Sequence, residues 1–179
     1  MKRFCLIVFL FVLAGSCLFA TTYFEVYEDE DEWGDKTGAS SLMMLTDDFE
    51  YSNSYSYDEP GFAFVLYFYP QYKAICGGAI LNSYNTIVDT FIVDDVILVK
   101  YRDADKNVTE VKTQRSYNEN ATFALIGSSA DELIKTIKAT NKIQFIIKGT
   151  DYESDTKYNV IFEYDPEEFS TYFDKIGWK

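Results

Sequence analysis

The chain predicts an α+β protein dominated by β structure, an antiparallel sheet or sandwich with two short helices at residues 129–139 and 166–176. Three observations lead there. Much of the chain consists of short runs of β-branched and aromatic residues separated by turn signals. Helical spacing of apolar residues arises late in the chain, each time beside a helix-start signal. The order is many strands, a helix, a hairpin and a closing helix, which suits an antiparallel α+β domain.

Tyr23 to Tyr27 has strand composition, and the carboxylates Glu28-Asp29-Glu30-Asp31-Glu32 interrupt it. Five consecutive like charges repel one another, so this run reads as an exposed loop or tail. Tyr51 to Tyr57 is rich in Ser and Tyr, and Asp58-Glu59-Pro60-Gly61 is a turn signal. Residues 21–61 therefore read as an acidic, Ser/Tyr-rich N-terminal region that is partly strand-forming. Residues 62–179 read as the antiparallel β-rich domain with both helices. Phe62 to Tyr69 is apolar and aromatic and ends at Pro70, while Thr86 to Val93 and Val96 to Tyr101 are split by Asp94-Asp95. Arg102 to Asn107 is a polar turn before the alternating Val108 to Lys112, and Thr122 to Ile126 is one more short strand.

Ser129 and Glu132 fit a capping box, with Leu133, Ile134 and Ile137 as the apolar stripe of the first helix. Ile143 to Lys148 and Lys157 to Tyr164 pair as a hairpin around Gly149-Thr150-Asp151. Asp165 as N-cap, Pro166 at the first helical position and Glu168 open the second helix. Its stripe, Phe169, Tyr172, Phe173 and Ile176, predicts docking on a sheet.

Lys2 and Arg3 precede an unbroken apolar run, Phe4 to Leu13, followed by small residues up to Ala20. Residues 1–20 thus read as a secretory signal peptide, because the run is shorter than the roughly 20 residues a membrane-spanning helix needs. The expected location is outside the cytoplasm, in the periplasm or medium. A second reading takes Ala14-Gly15-Ser16-Cys17 as a relaxed lipobox with Cys17 acylated, giving a surface lipoprotein. Against it, Leu18-Phe19-Ala20 extends the apolar stretch where a polar tether is usual.

The chain has 16 basic and 29 acidic side chains, a net charge of −13. Loss of Lys2 and Arg3 with the leader leaves 14 basic against 29 acidic, or −15. Such a field repels phosphate backbones and anionic lipid, so no nucleic-acid partner is expected, and a membrane only through an acylated Cys17. It attracts cations or a basic protein. The chain contains no histidine, which excludes Ser-His and Cys-His nucleophilic systems and imidazole zinc sites. Cleavage after Ala20 leaves Cys76 without an internal disulfide partner, so the core must hold the fold, and a buried structural thiol is its expected role. Fifteen Tyr and fifteen Phe invite an aromatic platform for sugars or peptides. Thirteen Lys against three Arg point instead to low-GC coding bias as the source of that composition.

From Phe62 to Trp178 the order of elements resembles two families of small exported bacterial proteins. A β meander reaches Tyr101-Arg102-Asp103. Phe123-Ala124-Leu125-Ile126, a helix with Leu133 and Ile137, a hairpin ending in Val160-Ile161-Phe162 and a helix closing at Gly177-Trp178 follow. The families are the type VI secretion-associated VasI-like proteins and the invasion-associated locus B proteins. The resemblance implies a β-rich periplasmic or surface protein with an interaction role. The chain departs from them in having Lys175-Ile176-Gly177 where a second cysteine is often found, and in lacking their Arg-x-Asp spacing.

Among candidate sites, Asp103, Asp105 and Asn107 form the D-x-D-x-N start of a calcium loop. Val108 occupies the turn-glycine position and Gln114 the final glutamate position, and a hairpin turn accounts for the same residues. Gly127-Ser128-Ser129 has the amide arrangement of an anion site, which helix capping also requires. No catalytic residue and no cofactor is expected. A carboxylate-based secreted hydrolase is the alternative to a non-catalytic interaction module with a protein or cell-envelope partner, since glycoside cleavage needs only two carboxylates. The export reading has a direct check: intact mass of protein from its native host should correspond to a chain beginning near Thr21. A retained leader, or a lipid mass on Cys17, would overturn it.

Overall fold

A computed structural model of the protein describes residues 22–30, 35–53, 63–80, 96–114, 123–151 and 154–179. The expected leader with Cys17, Asp31 and Glu32, the turn expected at Asp58 to Gly61 and the strand expected at Thr86 to Val93 lie outside them. In chain order the strands are β1 (Tyr23–Glu30), β2 (Lys36–Thr46), β3 (Phe49–Asn53), β4 (Ala63–Tyr69) and β5 (Ala74–Ile80). They continue as β6 (Val96–Arg102), β7 (Val108–Gln114), β8 (Phe123–Ile126), β9 (Lys142–Asp151) and β10 (Ser154–Glu163). Helix α1 (Ser128–Ala139) separates β8 from β9, and α2 (Pro166–Phe173) follows β10, extended by a 3-10 turn at Asp174–Ile176.

The strands form two five-stranded sheets, in the orders β1-β2-β4-β5-β8 and β3-β10-β9-β6-β7. Every pairing is antiparallel, so the protein is the expected β-dominated sandwich with two short helices. Alternation along each strand sends one set of side chains inward. Phe64, Leu66 and Phe68 of β4 meet Ile97, Val99 and Tyr101 of β6, Phe145 of β9, and Tyr158 and Phe162 of β10 in one continuous core. The ring of Phe64 packs against Phe49, Phe123, Tyr158 and Phe162 at centroid separations of 5.9–6.5 Å, touching both sheets. Gly77 on β5 is required by this packing, because a Cβ there would stand 2.4 Å from the Phe123 ring.

The chain crosses between sheets at the β2–β3 corner. Thr46 donates its hydroxyl to the Ile161 carbonyl at 2.8 Å and accepts the Asp48 amide at 3.1 Å, while the Ile161 amide donates to the Asp48 carbonyl at 2.9 Å. Three bonds thus satisfy backbone groups that the turn would otherwise leave unpaired. The described strands within residues 21–61 join both sheets: β1 and β2 join β4 in the first, and β3 joins β10 in the second.

The described part of the acidic run departs from the expected loop. Glu28, Asp29 and Glu30 are strand residues rather than a loop, stabilised by a Glu28–Lys36 ion pair and by side-chain bonds to Asp29. The β9–β10 ladder also runs further than the hairpin expected from sequence, pairing Gly149 to Asp151 with Ser154 to Thr156.

Helix α1 begins one residue early, and Ser129 is not its cap. Gly127 stands at the N-cap with φ 60° and no side-chain bond, its amide donating to the Lys73 carbonyl at 2.9 Å. The strand-to-helix bend needs a positive φ, which glycine adopts without cost, and that outweighs the capping preference of serine. Helix α2 starts as expected, Asp165 accepting the Glu167 amide at 2.9 Å ahead of Pro166. Ala130, Leu133, Ile134 and Ile137 of α1 are buried. Phe169 of α2 packs on Phe24 and Phe68 of the first sheet, and Phe173 on Phe68 and Trp178. Both helices therefore close one end of the core. Because Phe173 is only 4% exposed, Phe173→Ala should destabilise the protein by about 3–5 kcal/mol. Chemical denaturation of the two proteins measures this, and an unchanged midpoint would mean that the helix is undocked.

Candidate functional site

The two outer faces of the sandwich differ, and the difference locates the site. On the second sheet, a polar ladder runs across four strands. Arg102 donates to Gln144 at 2.7 Å, Gln144 to Asn159 at 2.6 Å, and Asn159 to Glu50 at 3.2 Å. Lys100–Glu110 and Lys142–Glu163 ion pairs extend the pattern. These polar groups are matched to one another, with Leu98, Ile146 and Ile161 half-buried among them on the same face.

The first sheet carries apolar and aromatic side chains on its outer face as well. Val65 is fully buried there against Met43, Leu45 and Tyr67. Towards one end the face becomes a tyrosine corner. Tyr27 meets Tyr67 edge-on at 6.4 Å, Tyr67 stacks on Tyr69 at 6.0 Å, and Tyr69 meets Tyr72 at 6.4 Å. The Tyr27 hydroxyl is hydrogen-bonded to that of Tyr69, and burial pushes both phenols above their ordinary range.

Asp29 lies in the same corner, two residues beyond Tyr27 and hence on the same face of β1. Its carboxylate accepts from Ser41 Oγ at 3.0 and 3.2 Å and from Gln71 Nε2 at 2.7 Å. Gln71 and Tyr72 come from the 3-10 turn at Pro70–Tyr72, which Pro70 opens and a left-handed Lys73 (φ 45°) closes. The register then places Ala74 opposite Tyr69, and Ile126 opposite Ala74. Tyr72 is 70% and Ile126 66% exposed. The corner thus presents rings, one oriented carboxylate, one amide and an aliphatic rim to solvent.

The sites suggested by sequence fall elsewhere. Asp103, Asp105 and Asn107 occupy the β6–β7 turn, and Asp103 accepts both the backbone amide of Asn107 at 2.9 Å and its side-chain amide at 2.8 Å. These bonds lower the Asp103 carboxyl below its ordinary range and account for the motif as turn chemistry. Among the described residues, no group of three Cys, Asp or Glu side chains could hold a metal ion, and no helix is long and apolar enough to cross a membrane. For carboxylate chemistry, Asp48 is the group the fold perturbs upward, first by burial and then by the charge of Glu163.

Sequence reasoning missed the tyrosine corner. The signal was present as parity, since Tyr27 with Asp29 and Tyr67 with Tyr69 each share one strand face. Only the strand order β1-β2-β4 brings the two pairs together. No family model, curated protein or solved structure matches the chain.

Cys76 lies on this outer face, opposite Tyr67 and Ala124, and is buried and free. Burial raises its thiol from 9.0 to about 11. The thiol form is thus favoured in the folded state, and this contribution to stability is complete below pH 9 and disappears as pH rises towards 11. Denaturation midpoints should accordingly fall across that alkaline interval, less so in Cys76→Ala, and native-state labelling at neutral pH should be far slower than for an exposed thiol. Fast labelling would contradict a buried thiol.

Proposed function

We propose that this chain is an exported, non-catalytic interaction module of the cell envelope or its exterior, binding its partner through the outer face of the first sheet. One observation carries the reading. The second sheet's polar groups are matched to one another, whereas the first sheet turns Tyr72 and Ile126 outward at the end where Gln71 orients the Asp29 carboxylate. Tyrosines of this kind combine apolar contact area with a hydrogen-bonding tip, the chemistry of binding surfaces. The leader at residues 1–20, the lack of histidine and the resemblance in element order to exported interaction proteins all support it.

The competing reading is a carboxylate-based hydrolase, with Asp48, whose carboxyl is raised by burial, as its candidate acid. A panel of glycans and esters distinguishes the two. The module should bind an envelope component saturably without turnover, and Tyr72→Ala should weaken that binding while leaving the fold intact. Reproducible turnover that disappears in Asp48→Asn would replace this proposal with the hydrolase.

A further inference from the structure

We infer that the tyrosine corner takes the cationic side chains of a basic protein segment, with arginine preferred to lysine. This rests on the assignment of the first sheet's outer face as the binding face, and goes further in naming what binds.

Charge provides the first argument. The chain carries −13, and β1, which lines the corner, holds Glu25, Glu28, Asp29 and Glu30 in one strand. A field of that sign concentrates cations and excludes anionic partners. Glu28 is already neutralised by Lys36. Asp29 is not: among the described residues it has hydrogen-bond donors but no cationic partner. A carboxylate offers about four lone-pair positions, and it receives two protons here, the Ser41 hydroxyl proton shared between its oxygens and one from the Gln71 amide. The two donors fix the group's orientation and leave a direction open for a guanidinium or ammonium.

The rings provide the second. A cation over a tyrosine face is attracted by the ring quadrupole, and the planar guanidinium also stacks there. The protein uses this interaction internally, placing Lys138 Nζ 4.4 Å from the Phe173 centroid and Lys175 Nζ 4.5 Å from that of Tyr172. In the corner, Tyr72 leaves 70% of its surface open. Carboxylate and open ring both neighbour Tyr69 where the field is negative, and the two together favour arginine, which can pair with one and stack on the other.

Labelled oligoarginine and oligolysine of equal length, titrated into the full chain at about 0.15 M salt, test this by fluorescence anisotropy. Oligoarginine should bind more tightly. Asp29→Asn should weaken it by about five-fold, and Tyr72→Ala should remove the preference for arginine. Glu168→Gln, an equal charge change on exposed α2, should shift affinity less than two-fold. Equal losses in Asp29→Asn and Glu168→Gln would reduce the effect to the general field and overturn the site, as would failure of both peptides to bind. If the peptides fail while Tyr72→Ala still weakens the envelope component, the cationic assignment falls and the binding face stands. If Tyr72→Ala changes neither, both fall.

Discussion

The fold depends on an aromatic layer pinned by Phe64. Its ring is the point at which β3, β4, β8 and β10 meet, and those four strands come from both sheets. Burying one such side chain stabilises a protein by roughly 1.5–3 kcal/mol, and favourable ring pairs add about 0.5–1.5 kcal/mol. Cys76 is free, so within the described residues no covalent link supplements the layer. Neighbouring features follow from it. Gly77 must lack a side chain to admit Phe123, and the β2–β3 corner must hold Phe49 over Phe64. Helix α2 fills the open end of the same layer with Phe169 and Phe173.

A core filled this densely by rings leaves function to the surfaces, and the two sheets resolve that differently. Side-chain amides and ion pairs on the second sheet satisfy one another across strands, which lowers the gain available to any partner that would have to replace them. The first sheet has apolar side chains on both faces. Its outer layer buries Val65 and Cys76, then opens at one corner where the chain turns through Pro70–Tyr72. Asp29 gains its geometry there from Ser41 and Gln71, residues 12 and 42 positions away. The proposed binding chemistry and fold stability thus share β1, which is held in the sheet by its pairing with β2.

Local physical chemistry made most elements legible in the sequence. Strand segments at Val96–Arg102, Val108–Gln114 and Ser154–Glu163 carry β-branched residues and alternation, and Asp165-Pro166 is a helix start that depends only on adjacent residues. The absence of histidine and the apolar run Phe4 to Leu13 are equally local facts. Three features were not legible, each because a distant contact overrides a local preference. Glu28 to Glu30 repel one another in isolation and become strand once Lys36, Ser41 and Gln71 are opposite them. Ser129 is a good cap, but the close of β8 onto Lys73 requires the positive φ of Gly127. Tyr27 and Tyr69 have no relation along the chain, and strand order makes them partners. Composition and periodicity by themselves determined the class of fold and the lack of histidine chemistry, because each is set by local residues. Tertiary structure alone decided which strands are neighbours, and so where a carboxylate and four tyrosine rings converge, because that choice is made by burial of faces across the whole chain.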